Sequence, residues 1–223
     1  MEDKNTPIKF EHLMLDIETM SSHSYAAILC IAAIEFDITT GKTGKTFYQT
    51  ISLQSSMDSG LLVDPDTIEW WMTQTDQSKS DVFKDTKPLR ETLNKFSEFV
   101  IQGDYQIWGN SARFDLGILQ NAYDKLFIKI PWDFRKERCL RTLVSFNPEI
   151  KETHTYVGIR HNALYDCYNQ ISYGSRIWMI LNGLTIPEAI TSPRIKCTCS
   201  CHHQNGITHV YACCDNGYIK TYI

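Results

Sequence analysis

The run AAILCIAAIEFDI, residues 26–38, leaves this chain few architectures to choose from. It is continuously apolar and rich in β-forming residues, without the polar alternation of a strand that keeps one face in water. Such a strand is buried on both faces, and so belongs in the centre of a sheet covered by other elements. Its neighbours extend the sheet. FEHLMLDIE (10–18) reads as a first strand, TTGKTGK (39–45) as a turn, and TFYQTISL (46–53) as a third strand, so the chain opens as an antiparallel meander.

The rest alternates strand and helix. After a Ser-rich loop, DPDTIEWWM forms a short helix with Asp64 as N-cap and Pro65 at the first helical position. PLRETLNKFSEFVI (88–101) carries Leu89, Leu93, Phe96 and Val100 at helical spacing, a packing helix. YQIWG (105–109) is a short strand, and Asn110–Ser111 signals the start of the helix around FDLGILQNAYDKLF. LRTLVSF (140–146) and HNALYDCYNQISYGSRIWMILNG (161–183) complete the helices. Three strands followed by this alternation predict an α/β chain with a mixed sheet and helices on its faces.

At 223 residues the chain suits one such domain with a tail. Its character changes only after Pro187–Pro193, so a domain over 1–187 and an extension over 188–223 are expected. That extension holds Cys197, Cys199, Cys201, Cys213 and Cys214 with His202, His203 and His209. Cys-x-Cys-x-Cys is not the usual knuckle spacing, so a reduced or β-paired tail is expected, with structural zinc as the alternative. Cys30, Cys139 and Cys167 read as buried reduced thiols. A formal net charge of −4 argues against indiscriminate binding of nucleic acid, though not against gripping a few nucleotides through metals and a local basic rim. No apolar run is long enough to span a bilayer, and the first residues lack a signal-peptide core, so a soluble cytoplasmic protein without membrane attachment is expected.

LMLDIETM (13–20) places Asp16 and Glu18 two positions apart on a strand, hence on one face. Two carboxylates so close raise each other's pKa unless a cation lies between them, which predicts a metal site if more acids converge there. GNSARFDLGIL puts Asp115 in the first turn of a helix that directly follows a strand. RHNALYD sets His161 and Asp166 five residues apart, at the start of the last helix or on the loop before it. Helices of α/β sheets begin near the carboxyl ends of strands, where sites collect, so the four acids can meet. Each alone has an ordinary explanation: a strand-end turn for Asp16 and Glu18, a dipole-complementing charge for Asp115, a surface histidine for His161. Their joint occurrence carries the functional reading.

Three ordered motifs carry a family resemblance across roughly residues 10–183. D-x-E-T is matched by Asp16, Glu18 and Thr19; N-x(3)-F-D by Asn110, Phe114 and Asp115; H-x(4)-D by His161 and Asp166. The chain thereby resembles the DEDD 3′–5′ exonucleases, in their histidine (DEDDh, DnaQ-like) branch, which implies a ribonuclease H-like five-stranded mixed sheet with helices on both faces. TIEWW (67–71) and the R-x-x-R-T-L of Arg138–Leu143 are similar to the phage exodeoxyribonuclease A and ribonuclease AS group, which implies a homo-oligomer. Ser21–Ser22 stand where the family usually has a glycine, and Cys139 where the subgroup more often has an aspartate.

What the resemblance implies is a metal-dependent exonuclease that releases nucleoside 5′-monophosphates from the 3′ ends of single-stranded DNA or RNA. Hard oxygen ligands on Asp16, Glu18, Asp115 and Asp166 select two Mg²⁺ or Mn²⁺ ions, which clamp the attacking and leaving oxygens, and His161 serves as general base. Thr19, Met20, Asn110 and Phe114 fall on the substrate side of these motifs. Within the helix after Asp64, Ile68, Trp71 and Met72 share a core-facing stripe, whereas Trp70 points about 100° away and is the candidate to stack on a nucleobase. Arg113 and Arg160 are candidates for phosphate contacts. The rival reading is a catalytically silent nucleic-acid-binding or zinc-dependent interaction protein on the same fold.

Overall fold

A computed structural model of the chain describes residues 10–186. The Cys/His-rich tail, with its zinc and hairpin alternatives, lies outside the described residues. Five strands form one mixed sheet: β1 (His12–Thr19), β2 (Ile28–Phe36), β3 (Thr43–Thr50), β4 (Gln106–Gly109) and β5 (Glu137–Cys139), in the order β3-β2-β1-β4-β5. The first three are antiparallel neighbours, while β4 runs parallel to β1 and β5 parallel to β4. All nine residues of β2 are buried. Because successive side chains point to opposite faces, the centre of the sheet is covered on both sides, as its unbroken apolar sequence requires.

The helices are α1 (Leu53–Asp58), α2 (Pro65–Met72), α3 (Asp76–Phe83), α4 (Leu89–Val100), α5 (Ala112–Lys125), α6 (Leu140–Val144), α7 (Pro148–Glu152) and α8 (Ala163–Leu181). Helix α8 lies across β1 and β2, and Cys167 brings its thiol within 3.7 Å of the Met14 carbonyl and 3.8 Å of that of Ala32. Helix α4 buries Leu89, Leu93, Phe96 and Val100, the four positions its sequence spacing selects. It holds α5 through the Tyr123 hydroxyl, which donates to the Leu93 carbonyl at 3.0 Å.

Several local expectations are corrected. The Ser-rich segment contains α1: the Ser52 hydroxyl accepts from the Ser55 N–H at 3.3 Å, so serines cap a helix here instead of loosening a loop. Strand β3 begins at Thr43, earlier than its alternation suggests, because the turn is completed by Gly41 at φ 67° and Thr43 pairs with Phe36. Helix α2 starts on Asp64 and Pro65 as expected, but Ile68 (41% exposed) and Met72 (71%) face outward. At eight residues on the rim of the sheet, α2 touches the core through Trp71 alone. Helices α3 and α7 and strand β5 escape sequence reading because none has an apolar stripe long enough to register.

Candidate active site

Strand β1 carries the first two acids. Asp16 pairs with Ala32 and Glu18 with Cys30 across the ladder to β2, and the register breaks between Glu18 and Thr19, at the end of the strand. Asp166 reaches the same point from the first turn of α8, a helix started by Asn162, whose side-chain oxygen accepts from the N–H groups of Leu164 (3.2 Å) and Tyr165 (3.4 Å). One carboxylate oxygen from each of Asp16, Glu18 and Asp166 lies within 4.8 Å of the others. Asp115 arrives from the first turn of α5, which follows β4 where Gly109 pairs with Leu15. A Cβ at Gly109 would fall 2.9 Å from the Asp115 side chain, so only glycine lets that carboxylate approach the sheet.

Asp115 is not within the 4.8 Å group. Its Oδ2 accepts from the Ser111 N–H at 3.0 Å, which draws it toward its own helix. Its charge nonetheless raises the pKa of both Asp16 and Glu18, so the four acids share one field. Burial is the largest cause throughout. It drives Asp16 well above the carboxylate range, with added repulsion from Asp115, Asp166 and Glu18. Glu18 is pushed up to about 8 by burial and by Asp166 and Asp115. Asp115 rises to about 7 and Asp166 to about 6. Polar neighbours limit the rise: Gln170 Nε2 donates to Asp16 Oδ1 at 2.7 Å, and the Tyr156 hydroxyl lies 3.1 Å from Asp166 Oδ1. Converging buried carboxylates whose pKa values are all raised by burial are the donor set whose ionised form a hard divalent cation favours. The acids therefore fit such an ion.

His161 lies two residues before α8, half-buried, in the left-handed region at φ 61°. That conformation costs a residue with a Cβ about 1 kcal/mol, so the surroundings must hold it there. Burial, then the Arg160 charge, lowers its pKa, which keeps the imidazole neutral through more of the physiological range. Its ring stands edge-on to Trp70, centroids 4.7 Å apart at 82°.

Trp70 in turn lines a cavity of about 350 Å³ with Glu18, Thr19, Ser22, Asp64 and Phe114. The two tryptophans have opposite environments, as a 100° helical step dictates. Trp70 is 40% exposed, whereas Trp71 is buried and its indole N–H donates to the Thr19 carbonyl at 2.9 Å. Thr19 lines the cavity, but Met20 packs into the core and is not among the lining residues. Asn110 is also outside the lining; its backbone carbonyl accepts from the Arg141 N–H. Arg113 is exposed beside Phe114, and Arg160 lies over the Tyr156 ring at 4.8 Å.

Gln170 and Tyr156 were not singled out by sequence, and Trp71, Ser22 and Asp64 were named there only as a core residue, a departure from the family pattern and a helix cap. Gln170 was legible in principle: it stands four residues after Asp166 on α8, one turn along the same face. The others reach the site only through tertiary contact.

Among curated proteins no sequence matches this chain. Solved structures share its fold at low identity. Cell-death related nuclease 4 (CRN-4) superposes with a TM-score of 0.57 at 17% identity, over 77% of this chain and 64% of its own. Exonuclease I of E. coli, in complex with a 5cy-dT13 oligonucleotide, gives 0.56 at 14%, over 79% and 44%. The nuclease domain of 3′hExo, a DEDDh family member bound to rAMP, gives 0.55 at 14%, over 80% and 97%. The chain thus covers less than two thirds of the first two. None of these structures, nor the matching family, bears the name of the phage exodeoxyribonuclease A or ribonuclease AS group. In sequence, residues 11–178 match the 3′-5′ exoribonuclease Rv2179c-like domain, over the whole span that carries the four acids and His161, and the chain belongs to that family of 3′–5′ exonucleases.

Proposed function

We propose that the chain removes nucleoside 5′-monophosphates one at a time from the 3′ end of single-stranded RNA, with two Mg²⁺ or Mn²⁺ ions and His161 as general base. The observation that carries this reading is the meeting of Asp16, Glu18 and Asp166 beside a cavity that Glu18 itself lines. A silent binding protein has no use for buried carboxylates that repel phosphate and resist ionisation. RNA is preferred to DNA because the family is one of exoribonucleases; bound neighbours include both a dT13 oligonucleotide and rAMP.

Asp16, Glu18, Asp115 and Asp166 hold the ions, with Gln170 fixing one oxygen of Asp16 so that the other stays available. When bound, such ions supply an activated water and stabilise charge on the leaving oxygen. The terminal base enters the 350 Å³ cavity between Trp70 and Phe114, and Thr19, Ser22 and Asp64 supply hydrogen-bonding groups for its sugar. His161, neutral because burial and Arg160 lower its pKa, takes the proton of the attacking water. Arg113 and Arg160 neutralise phosphates that approach the acidic rim. Among the described residues Cys30, Cys139 and Cys167 are free thiols, in keeping with a reducing cytoplasm, although Cys139 is half-buried where the sequence predicts a buried thiol, and none of the helices is long and apolar enough to cross a membrane.

The test is a time course on matched 5′-labelled RNA and DNA single strands, with Mg²⁺, Mn²⁺ or EDTA. A ladder shortening from the 3′ end, metal-dependent and faster on RNA, is expected. Equal or faster loss of DNA would reverse the sugar assignment, and cleavage unaffected by EDTA would remove the metal role.

A further inference from the structure

We infer that helix α3 is a clamp that sets the position of His161, with Ser78 and Asp81 as positioning residues for the reaction. The inference rests on the assignment of His161 as general base. The residues on either side of His161 are both tied to this one helix, about eighty positions earlier in the chain. The Ser78 hydroxyl donates to the Arg160 carbonyl at 2.8 Å, and Asp81 Oδ2 accepts from Asn162 Nδ2 at 2.9 Å. Between these anchors His161 is held at φ 61°, a conformation that a free loop would relax.

The composition of α3 argues that this grip is its purpose. A helix kept for packing buries an apolar stripe. Helix α3 buries only Ser78 and Val82, one turn apart, with Asp81 beside them on the same face. Ser78 is 2% exposed, and a hydroxyl so deeply buried needs partners. It has them in the Arg160 carbonyl and in Thr75 Oγ1, 2.8 Å away, so its proton is aimed at the histidine loop. Asp81 is braced in turn, its Oδ1 accepting from Gln77 Nε2 at 2.7 Å, while its carbonyl accepts from the Tyr48 hydroxyl at 3.3 Å. The clamp is thereby fastened to β3.

Asn162 makes the connection consequential. Its oxygen starts α8, the helix that presents Asp166 and Gln170, and its nitrogen grips Asp81. One amide therefore fixes the base-bearing loop and the acid-bearing helix relative to each other. Trp70 stands edge-on against the imidazole. A general base depends on placement: loss of the neutral Ser78 bond is expected to cost about 3- to 10-fold in rate, and loss of the bond to the Asp81 carboxylate about 10-fold or more.

The test uses the full chain and 5′-labelled single-stranded RNA in single-turnover experiments. Asp81→Ala, Asp81→Asn and Ser78→Ala are made alone and in a His161→Asn background, with substrate affinity and the Mn²⁺-induced shift in melting temperature measured in parallel. Ser78→Ala is expected to lower the bound-state rate about 3- to 10-fold and Asp81→Ala about 10-fold or more, with affinity for RNA and metal held within about twofold. Asp81→Asn should return close to wild type, since its amide oxygen can still accept from Asn162. In the His161→Asn background neither alanine should lower the rate further, because the Asn162 oxygen still caps α8 and the lost grip is felt at the imidazole. Alanine variants within twofold of wild type, beside a His161→Asn protein that is severely impaired, would refute the clamp and leave the base standing. An equal further loss in the His161→Asn background would also refute it, by showing that α3 serves the fold at large. A His161→Asn protein that cleaves like wild type would remove the base assignment, and the clamp with it.

Discussion

Replacing Glu18 by Gln tests the electrostatics of the site without any substrate. Folding raises the pKa of Glu18 from 4.5 to about 8, first through burial and then through Asp166 and Asp115. A carboxyl whose pKa is raised on folding binds its proton more tightly in the native state than in the unfolded chain. Stability is therefore greatest below the unfolded value and declines as pH climbs toward the folded one. Each step of one in pKa corresponds to about 1.4 kcal/mol, so at pH 8 Glu18 alone opposes folding of the metal-free protein by about 4–5 kcal/mol. A buried Gln amide has a desolvation cost of its own, which leaves a recoverable part of roughly 2–3 kcal/mol. For a chain of this size that is roughly 5–10 °C in melting temperature. After thorough chelation, Glu18→Gln should melt above wild type by this amount at pH 8, and the gap should close by pH 5, where wild-type Glu18 is protonated. Mn²⁺ should reverse the order at pH 8, raising wild type more than the variant. The assay is thermal unfolding followed by circular dichroism at constant ionic strength, with EDTA or with Mn²⁺. A metal-free wild type whose melting point matches that of Glu18→Gln at both pH values would refute the view that these carboxylates repel one another in a buried site.

Other consequences follow from the same geometry. His161→Asn, which tolerates the left-handed backbone but lacks the imidazole, should lose about 10²–10⁴ in kcat and keep the metal-dependent melting shift; the rising limb of the wild-type pH–rate profile, set below the ordinary histidine value, should vanish with it. Trp70→Ala should weaken RNA binding by about 5- to 100-fold at nearly constant melting temperature, as measured by fluorescence anisotropy. Trp71→Ala should do the reverse, costing about 3–5 kcal/mol in urea unfolding, because it empties core volume and frees the Thr19 carbonyl. Gln170→Leu removes the amide that donates to Asp16 and should lower metal affinity by about 10-fold or more, read by titration calorimetry, with the fold retained.

The sequence by itself determined the central strand, because no other arrangement hides an unbroken apolar run such as 28–36. It determined where α2, α4 and α5 begin, since caps and apolar spacing are local properties of the chain, while α8 starts at Ala163, two residues later than its sequence reading. It also pointed to Asp16, Glu18 and Asp166, which the structure brings within 4.8 Å of one another, because motif spacing survives in one dimension. Tertiary structure alone decided what surrounds them. Helix α3 has no apolar stripe to announce it, yet it grips both neighbours of His161 from about eighty residues away. Ile68 and Met72 keep helical spacing but meet solvent, since periodicity records which face could be buried and not whether a partner is there. Met20 sits beside a motif and still turns into the core. The pull of Ser111 on Asp115 and the raised pKa values of the acids are likewise three-dimensional facts, because they depend on burial and on charges that the sheet and helices bring together from distant positions.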